Sequence, residues 1–517
     1  MKRTCRAWWW FVVPVLSIVA RADAAEQRPN ILFIFSDDQS TRTVGCYPGS
    51  WPWVKTPHLD ALAAQGVRFA HAYMGSWCMP SRASLLTGLH PHAVESMRME
   101  GKYPGSVYDP ARCRFWPSVF RAHGYQTAQI GKWHTGTDAG FGRDWDYQIV
   151  WNRPKNPDNA GDYYREQIVE WNGVEKRVSG YSTDNYTQWA CDYIRGEGRD
   201  PTKPWYLWLC YGAVHGPSTP APRHRGALAE APVELPTDMF PPRPDKPAYL
   251  NETQAWFRGA DGRAYAGKSS AQFGDEAGQQ AKSYEDWVRQ VNECALALDE
   301  GVGRVLAALE AGGQAKNTLI VFTADQGFGM GEHGFRSKLA PYEATYASPL
   351  IVSRPGVVAA GKVCLEPVNA CDLVSTFFAQ AGIEEPWKMH GRDVSAWFAN
   401  PEAATSDRPL LFEHMGHYYG ADTRDIADPR HRSHDVPPWV AVRRGRFKYV
   451  RTLVAGEMEE LYDLRADPGE LKNLALGAEH AALTAELRAA AIDELRRTDA
   501  PFVDRLPPTR GLPGDAP

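Results

Sequence analysis

Five short apolar runs, separated by helical stretches, constrain the fold of this chain more than any other feature. Each run is bounded by turn or polar residues and has the length of a buried strand; the runs are 30–36, 126–130, 205–211, 318–324 and 349–353. Residues 57–66 and 287–313 have helical patterns that end at glycine. Strands that alternate with helices predict an α/β fold, with a large, mostly parallel mixed sheet sandwiched by helices.

Polar residues follow four of the predicted strands where each strand ends. Because ligands of open α/β sheets bind beyond the carboxyl ends of the strands, these residues are expected to form one site. They are Asp37-Asp38, Gly131-Lys132-Trp133-His134, Ala213-Val214-His215 and Asp325-Gln326.

Changes of composition along the chain predict its domains. Residues 26–404 form the α/β domain, and 405–517 form a smaller α+β domain with an antiparallel sheet and a terminal helix. Residues 216–283 are rich in Pro, Arg and Gly, which indicates either a lid over the site or a surface insert. The last ten residues, 508–517, are predicted to be disordered.

The N-terminus has the pattern of a signal peptide. Basic residues precede an apolar run of about a dozen residues, shorter than the roughly 20 that span a bilayer, and small residues follow at 22–25. We predict that 1–25 are removed and that the mature protein is exported, periplasmic or secreted, without stable membrane insertion. A net charge of −5 gives no reason to expect a nucleic-acid partner.

Cys78, in the stretch SWCMPSRASLLTG (76–88), has four candidate roles: a packing residue, half of a disulfide, a metal ligand or a nucleophile. The chain has nine cysteines and no CxxC pair, which leaves a zinc site without support. Cys364 and Cys371 are close enough in sequence to pair, although sequence does not fix the connectivity. If Cys78 is set apart, the remaining seven cysteines of the mature chain include at least one free thiol.

The motif Cys-x-Pro-x-Arg at 78–82 resembles that of the type I sulfatases of the alkaline phosphatase superfamily. Further stretches match that family in its order along the chain: 28–39, 56–73, 124–136, 321–334 and 461–474. The resemblance implies that a formylglycine-generating or radical maturation enzyme oxidises Cys78 to Cα-formylglycine (3-oxoalanine), whose hydrate is the nucleophile. A geminal diol has a second hydroxyl, which allows sulfate to leave after the first transfer.

The resemblance also implies one Ca²⁺ at the sulfate oxygens. Its ligands would be Asp37, Asp38, Asp325 and the modified Cys78, since carboxylates are hard oxygen donors. The family often has Asn after the third Asp, and this chain has Gln326, whose amide oxygen is one methylene further out.

Five further residues match catalytic positions of the family. Arg82 would hold the formylglycine hydrate, and Lys132 and Lys338 would bind sulfate. His134 would take a proton from the second hydroxyl, and His215 would act as general acid at the leaving-group oxygen.

The resemblance predicts a sulfuric-ester hydrolase, and an exported enzyme with a long insert fits a sulfated carbohydrate best. Arg336 and the basic pairs Arg223/Arg225 and Arg443/Arg444 are either substrate contacts or solvated charges. Two alternatives stay open: a formylglycine-dependent phosphonate or phosphate ester hydrolase, and a non-catalytic glycan-binding relative. The second would have lost part of the catalytic set, all of which is present.

Overall fold

The computed structural model describes residues 28–510 apart from 96–98, 101–104, 107–108, 253, 268–282 and 407. The predicted signal peptide and the end of the predicted disordered tail lie outside these residues. The strands are β1 (Asn30–Ser36), β2 (Val67–Phe69), β3 (Ala72–Tyr73), β4 (Met99–Glu100), β5 (Gly105–Ser106), β6 (Gln126–Trp133), β7 (Tyr147–Asn152), β8 (Gln167–Trp171), β9 (Val174–Val178), β10 (Trp205–Cys210), β11 (Trp256–Arg258), β12 (Ala264–Ala266), β13 (Thr318–Ala324), β14 (Leu350–Ser353), β15 (Lys362–Cys364), β16 (Val368–Asn369), β17 (Leu410–His414), β18 (Trp439–Arg444), β19 (Phe447–Thr452) and β20 (Glu459–Asp463). The α-helices are α1 (Pro57–Ala64), α2 (Cys78–Thr87), α3 (Pro117–Ala122), α4 (Ser182–Arg195), α5 (Tyr249–Glu252), α6 (Tyr284–Ala311), α7 (Glu343–Tyr346), α8 (Ala370–Ala381), α9 (Ser395–Ala399) and α10 (Ala481–Arg497).

Ten strands form one mixed sheet in the order β15-β2-β14-β13-β1-β10-β6-β7-β8-β9. The five central strands, β13 to β7 in that order, are parallel. β14 and β8 run antiparallel to them on either side. This arrangement confirms the predicted fold class, and the predicted strand 349–353 is real but antiparallel.

Both faces of this sheet are buried, which explains why its central strands are apolar without alternation. Along β1, Phe33 and Phe35 pack into a core that includes Leu86 of α2. Leu32 and Ile34 point to the other face, into a core shared with α1, α4 and α6. Helices therefore cover the sheet on both sides.

A second, antiparallel sheet has the order β17-β18-β19-β20. The Arg444–Phe447 turn joins β18 to β19 as the sequence predicted, and α10 packs against β17, β18 and β19. Trp439 of β18 and Phe412 of β17 belong to the same core as α2. The antiparallel sheet thus packs against the α2 side of the large sheet.

The described part of the segment 216–283 packs on the rest of the molecule. Trp256 of its short hairpin is buried, as is Leu250. The buried ammonium of Lys246 donates to the hydroxyl of Tyr462 on β20 at 2.6 Å. These contacts hold the described part of the segment against β20 and the buried core, while its role as a lid stays a prediction.

Two sequence expectations change in detail. β6 continues to Trp133, so Lys132 lies within the strand rather than after it. Cys364 and Cys371 are both free thiols, and so are the other six cysteines among the described residues.

None of the helices built from the described residues combines the length and the apolar character that a bilayer span requires.

Candidate active site

Cys78 is the first residue of α2, at the carboxyl edge of the large sheet. Pro80 suits the first turn of the helix, and Gly88, with φ of 71°, ends it in the left-handed region that favours glycine. The buried thiol donates to Asp37 Oδ1 at 3.3 Å, and Lys338 Nζ lies 3.2 Å from its sulfur. An N-terminal helix position also provides unpaired backbone N–H groups that favour an anion.

The acidic residues predicted to bind metal converge beside Cys78. They follow β1 and β13, which are parallel neighbours, so the two strand ends bring them together. Asp38 has φ of 55°, and its backbone N–H donates to Asp325 Oδ1 at 3.0 Å. Oxygen, sulfur and nitrogen atoms of Asp37, Asp38, Cys78 and His215 lie within 4.8 Å of one another, a spacing that suits a shared cation.

Two oxygens of this cluster indicate that the residues fit a hard cation. Asp325 Oδ2 and Gln326 Oε1 are buried and have no hydrogen-bond partner among the described residues. The nearest guanidinium nitrogen, on Arg82, lies 3.5 Å from Asp325 Oδ2. Buried oxygens without partners cost free energy, and carboxylate and amide oxygens are the ligands that Ca²⁺ prefers. The Gln326 amide donates from Nε2 to Asp38 Oδ1, which leaves its oxygen as a candidate ligand beside the carboxylates.

Three buried cations surround the carboxylates. Lys132 Nζ contacts Asp37 Oδ2, and Lys338 Nζ contacts Asp38 Oδ1. Arg82 is 1% exposed; its Nη1 donates to the carbonyl of Lys132 at 3.0 Å, and its Nη2 lies 3.7 Å from Asp37 Oδ2. The site thus combines anion-binding groups with metal-binding oxygens.

The pKa values within the cluster diverge. Burial alone would raise the pKa of Asp37, but Lys132, His215 and Arg82 outweigh it, and the pKa lies well below its ordinary value. Burial, together with the charge of Asp37, raises the pKa of Asp325 to about 7. Burial and Asp37 also raise the pKa of Cys78 to about 12, so an unmodified Cys78 remains a thiol at neutral pH.

His134 lies at the end of β6, where the sequence predicted a base. Its Nε2 is 3.4 Å from Nη1 of the buried Arg153, and its Nδ1 has no hydrogen-bond partner among the described residues. Burial lowers the pKa of His134 well below its ordinary value, and the charges of Arg153, Lys132 and Arg82 lower it further. His134 is therefore neutral at physiological pH.

His215 is held on several sides. Nδ1 donates to the carbonyl of Gly216 at 2.7 Å, since a carbonyl only accepts. Nε2 lies 3.0 Å from the hydroxyl of Tyr163 and 3.5 Å from Asp38 Oδ2. The rings of His215 and Tyr163 stack with centroids 4.0 Å apart.

Sequence reasoning missed Arg153 and Tyr163. Both follow β7, at a strand end where no motif marks them. The one available sequence signal was the general tendency of ligands to bind beyond the carboxyl ends of parallel strands, which applies to β7 as it does to β6.

A group of histidines beside Cys78 was also missed. Trp77 meets the rings of His414, His417 and His434 edge to face, with centroids 5.4 to 6.5 Å apart. Burial lowers the pKa of His434 to about 4, aided by Lys338, and that of His414 to about 3. These residues come from the segments around β17 and β18, so the smaller sheet contributes a wall of neutral imidazoles around Trp77, the residue before Cys78. Trp77 and His414 are buried, and His417 and His434 are partly exposed.

The remaining candidates have partners of their own. Arg336 lies against Trp256 and Trp287, 5.8 and 5.4 Å from their ring centroids. Arg223 pairs with Asp184 and Glu300. Arg443 is buried and donates to the hydroxyl of Tyr73 at 2.6 Å, and the exposed part of Arg444 pairs with Glu486. The structure thus places Arg223, Arg443 and Arg444 in ion pairs or buried contacts, while Arg225 is exposed.

Comparison with known proteins identifies the family. Residues 29–383, more than half of the chain, match the family model described as Sulfatase. The chain belongs to the sulfatase family. Residues 331–498 of this sulfatase also match the model described as N-sulphoglucosamine sulphohydrolase, C-terminal. Together with the fold, these matches confirm the resemblance to formylglycine-dependent sulfatases of the alkaline phosphatase superfamily, and the protein is a sulfatase enzyme.

Several characterised relatives cover most of the sulfatase. An N-acetylglucosamine-6-O-sulfatase of Bacteroides thetaiotaomicron is 29% identical and covers 89% of this chain and 85% of its own. A Δ4,5-hexuronate-2-O-sulfatase of the same organism is 26% identical and covers 93% and 92%. A solved structure in complex with its substrate D-glucosamine-2-N,6-O-disulfate is 25% identical, with a TM-score of 0.76, and covers 93% and 100%.

Proposed function

We propose that this sulfatase is exported and releases inorganic sulfate from a sulfated carbohydrate, with a 6-O-sulfated hexosamine as its substrate class. The observation that carries the proposal is the position of Cys78. It begins a helix, and it lies between Asp37, in the acidic cluster, and Lys338, in the basic set. A sulfate ester at this point would meet the nucleophile, a cation site and positive side chains together.

Two groups would complete the site. When bound by Asp37, Asp38, Asp325 and Gln326, a Ca²⁺ ion would polarise the sulfate oxygens as a Lewis acid. When a maturation enzyme has oxidised Cys78 to formylglycine, its hydrate would supply the nucleophilic hydroxyl.

The chain's own cations bind and orient the sulfate group. Lys338 Nζ lies beside residue 78 and would neutralise negative charge on sulfate and on the bridging oxygen. Lys132 holds Asp37, and Arg82 holds the carbonyl of Lys132, so each cation also fixes a neighbour. A preorganised set of this kind stabilises charge without rearrangement during the reaction.

The two histidines would move protons. His134 is neutral and buried, which is the state that a base for the second hydroxyl requires. His215 donates from Nδ1 to Gly216, so the proton given to the leaving-group oxygen would be a second one, carried by Nε2. Burial lowers the pKa of His215 well below its ordinary value, so this role requires that the bound anionic sulfate ester raises the pKa again. Proton transfer of this type contributes about 10² to 10⁴ in rate.

The substrate class follows from the wall beside Cys78 and from the relatives. His417 and His434, the partly exposed members of this wall, would supply neutral polar groups that suit a sugar's hydroxyls, while Trp77 and His414 are buried and pack against them. A wall of neutral groups suits a hexosamine better than a uronate, whose carboxylate calls for a cation. The N-acetylglucosamine-6-O-sulfatase and the structure bound to glucosamine-2-N,6-O-disulfate act on that same class.

A substrate panel tests the proposal. Protein matured in its own host would be assayed on 6-sulfated hexosamines, on 2-sulfated unsaturated uronates, and on phosphonate and phosphate esters. We expect the highest kcat/KM on the 6-sulfated hexosamine. Preference for phosphonate or phosphate esters would instead establish the alternative hydrolase, and the peptide mass of residue 78 would report the formylglycine independently.

The histidine wall provides a sharper test of substrate class. His434→Ala is expected to lower kcat/KM for the hexosamine sulfate by about tenfold through the loss of a polar contact, with a much smaller effect on 4-nitrophenyl sulfate. His480→Ala is the control, because His480 is a partly exposed histidine that directly precedes α10. Equal losses on both substrates would contradict the sugar-binding role.

Export is tested separately. N-terminal sequencing of the protein recovered from the host is expected to show a chain that begins near residue 26. A retained N-terminus in a cytoplasmic fraction would contradict the proposal.

A further inference from the structure

The segment between β7 and β8 reaches both histidines of the site. Arg153 and Tyr163 lie on it and are 8% and 3% exposed. The Tyr163 ring stacks on the His215 imidazole at an interplanar angle of 7°. The guanidinium carbon of Arg153 lies 4.8 Å from the centroid of the same ring. The segment thus forms a continuous packed row from Arg153 through Tyr163 to His215.

Tyr163 fixes His215 in two ways. Its ring face supports the imidazole plane, and its hydroxyl lies 3.0 Å from Nε2. With Nδ1 bound to the Gly216 carbonyl, both ring nitrogens have fixed partners, so rotation of the imidazole would break two contacts. The neighbouring Tyr164 donates to the main-chain carbonyl of His215 at 2.6 Å and holds the backbone.

Arg153 acts on His134 through charge. Its Nε donates to the carbonyl of Ala160 at 2.8 Å, which fixes the guanidinium, while Nη1 lies 3.4 Å from His134 Nε2. At that distance a permanent cation favours the neutral imidazole. Burial is the largest cause of the low pKa of His134; Arg153, Lys132 and Arg82 add to it, and Asp37 opposes them. Arg153 is the member of this set that contacts His134 directly.

We propose that Tyr163 and Arg153 are positioning residues of the sulfatase reaction: Tyr163 holds His215 at the leaving-group side, and Arg153 holds the imidazole of His134 through its contact with Nε2. The inference rests on the proposed roles of the two histidines. It adds that one segment of the chain supports both, and that the two residues affect different steps.

Substrates with different leaving groups can distinguish the role of Tyr163 from that of Arg153. A sugar alkoxide needs a proton to leave, whereas 4-nitrophenolate leaves without one. Tyr163→Phe keeps the stacked ring and removes the hydroxyl, so kcat on the hexosamine sulfate should fall about tenfold with KM within about twofold, while 4-nitrophenyl sulfate is hydrolysed nearly as before. Arg153→Met should bring kcat on the two substrates down toward one common value, because His134 acts after the leaving group has departed, in a step that both substrates share, and Arg153→Lys should restore part of the rate.

Tyr186→Phe is the matched control. It removes another buried tyrosine hydroxyl, which donates to Gln167 Oε1 at 2.6 Å, and should leave the ratio of the two rates unchanged. This ratio does not depend on the folded fraction, so a partly unstable variant still gives an answer. For the hexosamine sulfate, the proposed role of Tyr163 also requires that Tyr163→Phe lowers kcat and leaves KM nearly unchanged.

Three results would overturn the proposal. They are an unchanged kcat in Tyr163→Phe, an equal loss on both substrates in that variant, and a selective loss on the sugar in Arg153→Met. Wild-type enzyme measured in parallel separates these outcomes from failure of the proposed function, which would appear as inactivity of the wild type on both sulfates.

Discussion

Two buried charged clusters of this sulfatase differ in how far their charges are compensated. In the interface cluster (His71, Tyr73, Glu343, Arg443 and Lys448), both oxygens of Glu343 have partners: Tyr73 at 2.7 Å and Lys448 at 3.2 Å on one, and His71 at 3.1 Å on the other. In the active site, Asp325 Oδ2 and Gln326 Oε1 accept no hydrogen bond from the described residues, although the Arg82 guanidinium lies 3.5 Å from Asp325 Oδ2.

The pKa values follow the same contrast. Burial would raise the pKa of Glu343, but Lys448, His71 and Arg443 hold it well below its ordinary value. Asp325 is equally buried, yet its pKa rises to about 7, because Asp37 adds to the effect of burial. Glu343 is thus paired on both oxygens, whereas Asp325 lies beside a second carboxylate and keeps an oxygen that accepts no hydrogen bond from the described residues.

The largest effect on activity is expected when the nucleophile is removed. Cys78→Ala should lower kcat by at least about 10³-fold, since the residue would form the covalent bond to sulfur, while the fold is retained. Steady-state kinetics and thermal unfolding measure the two effects. Cys113→Ala, at another buried cysteine, should retain activity. Substantial turnover by Cys78→Ala would remove this residue from the mechanism.

Metal removal tests the proposed cation site beside Asp325. Chelation should lower activity by at least about 10²-fold through loss of electrostatic stabilisation, and Ca²⁺ should restore it. Calcium should also raise the melting temperature of the wild type, because it binds the folded state. Asp325→Asn should weaken both responses. Full activity in a verified metal-free preparation would contradict the metal assignment.

Breaking the interface cluster should lower the stability of the protein and leave its activity nearly unchanged. Glu343→Gln leaves Lys448 and Arg443 without their shared carboxylate, which should lower the free energy of unfolding by about 3 kcal/mol. The kcat of the folded fraction should change little. Glu402→Gln, which breaks an exposed pair with Lys362, is the matched control and should cost under about 1 kcal/mol. A greater loss of activity than of stability in Glu343→Gln would show that the cluster serves catalysis.

The smallest effect concerns acid stability. His390 Nδ1 accepts from the backbone N–H of His90 at 3.0 Å, and burial lowers the pKa of His390 to about 2, with His92 and the cations Arg497, Lys388 and Arg408 adding to the effect. An unfolded histidine binds a proton near pH 6.5, so the stability from His390 is complete above that pH and is lost as the pH falls, by about 1.4 kcal/mol per unit.

His390→Asn keeps an acceptor and removes the titration. Urea unfolding between pH 6.5 and 5 should therefore show a shallower pH dependence in this variant than in the wild type. His123→Asn, at a histidine outside this cluster, should leave the slope unchanged. An unaltered slope in His390→Asn would remove His390 as its cause.

Much of the fold could be predicted because it depends on local patterns. The apolar runs of β1 and β13 predicted both strands to the residue, and their adjacency as parallel neighbours explains why Asp37, Asp38 and Asp325 converge. The end of β6 was misjudged, since Gly131 and Lys132 look like a turn in sequence. In the structure the strand continues beside β10 and β7 and buries the lysine.

The sequence alone determined the α/β class, the motif around Cys78 and the residue types of the site, because strand periodicity and motif spacing are properties of neighbouring residues. Only the tertiary structure decided what surrounds those residues. Arg153 and Tyr163 reach the histidines from the end of another strand, and His414, His417 and His434 approach Trp77 from the smaller sheet, more than 300 positions along the chain. Contacts of that range depend on how the sheets pack, and the same packing sets which charges are compensated and which oxygens are left for a ligand.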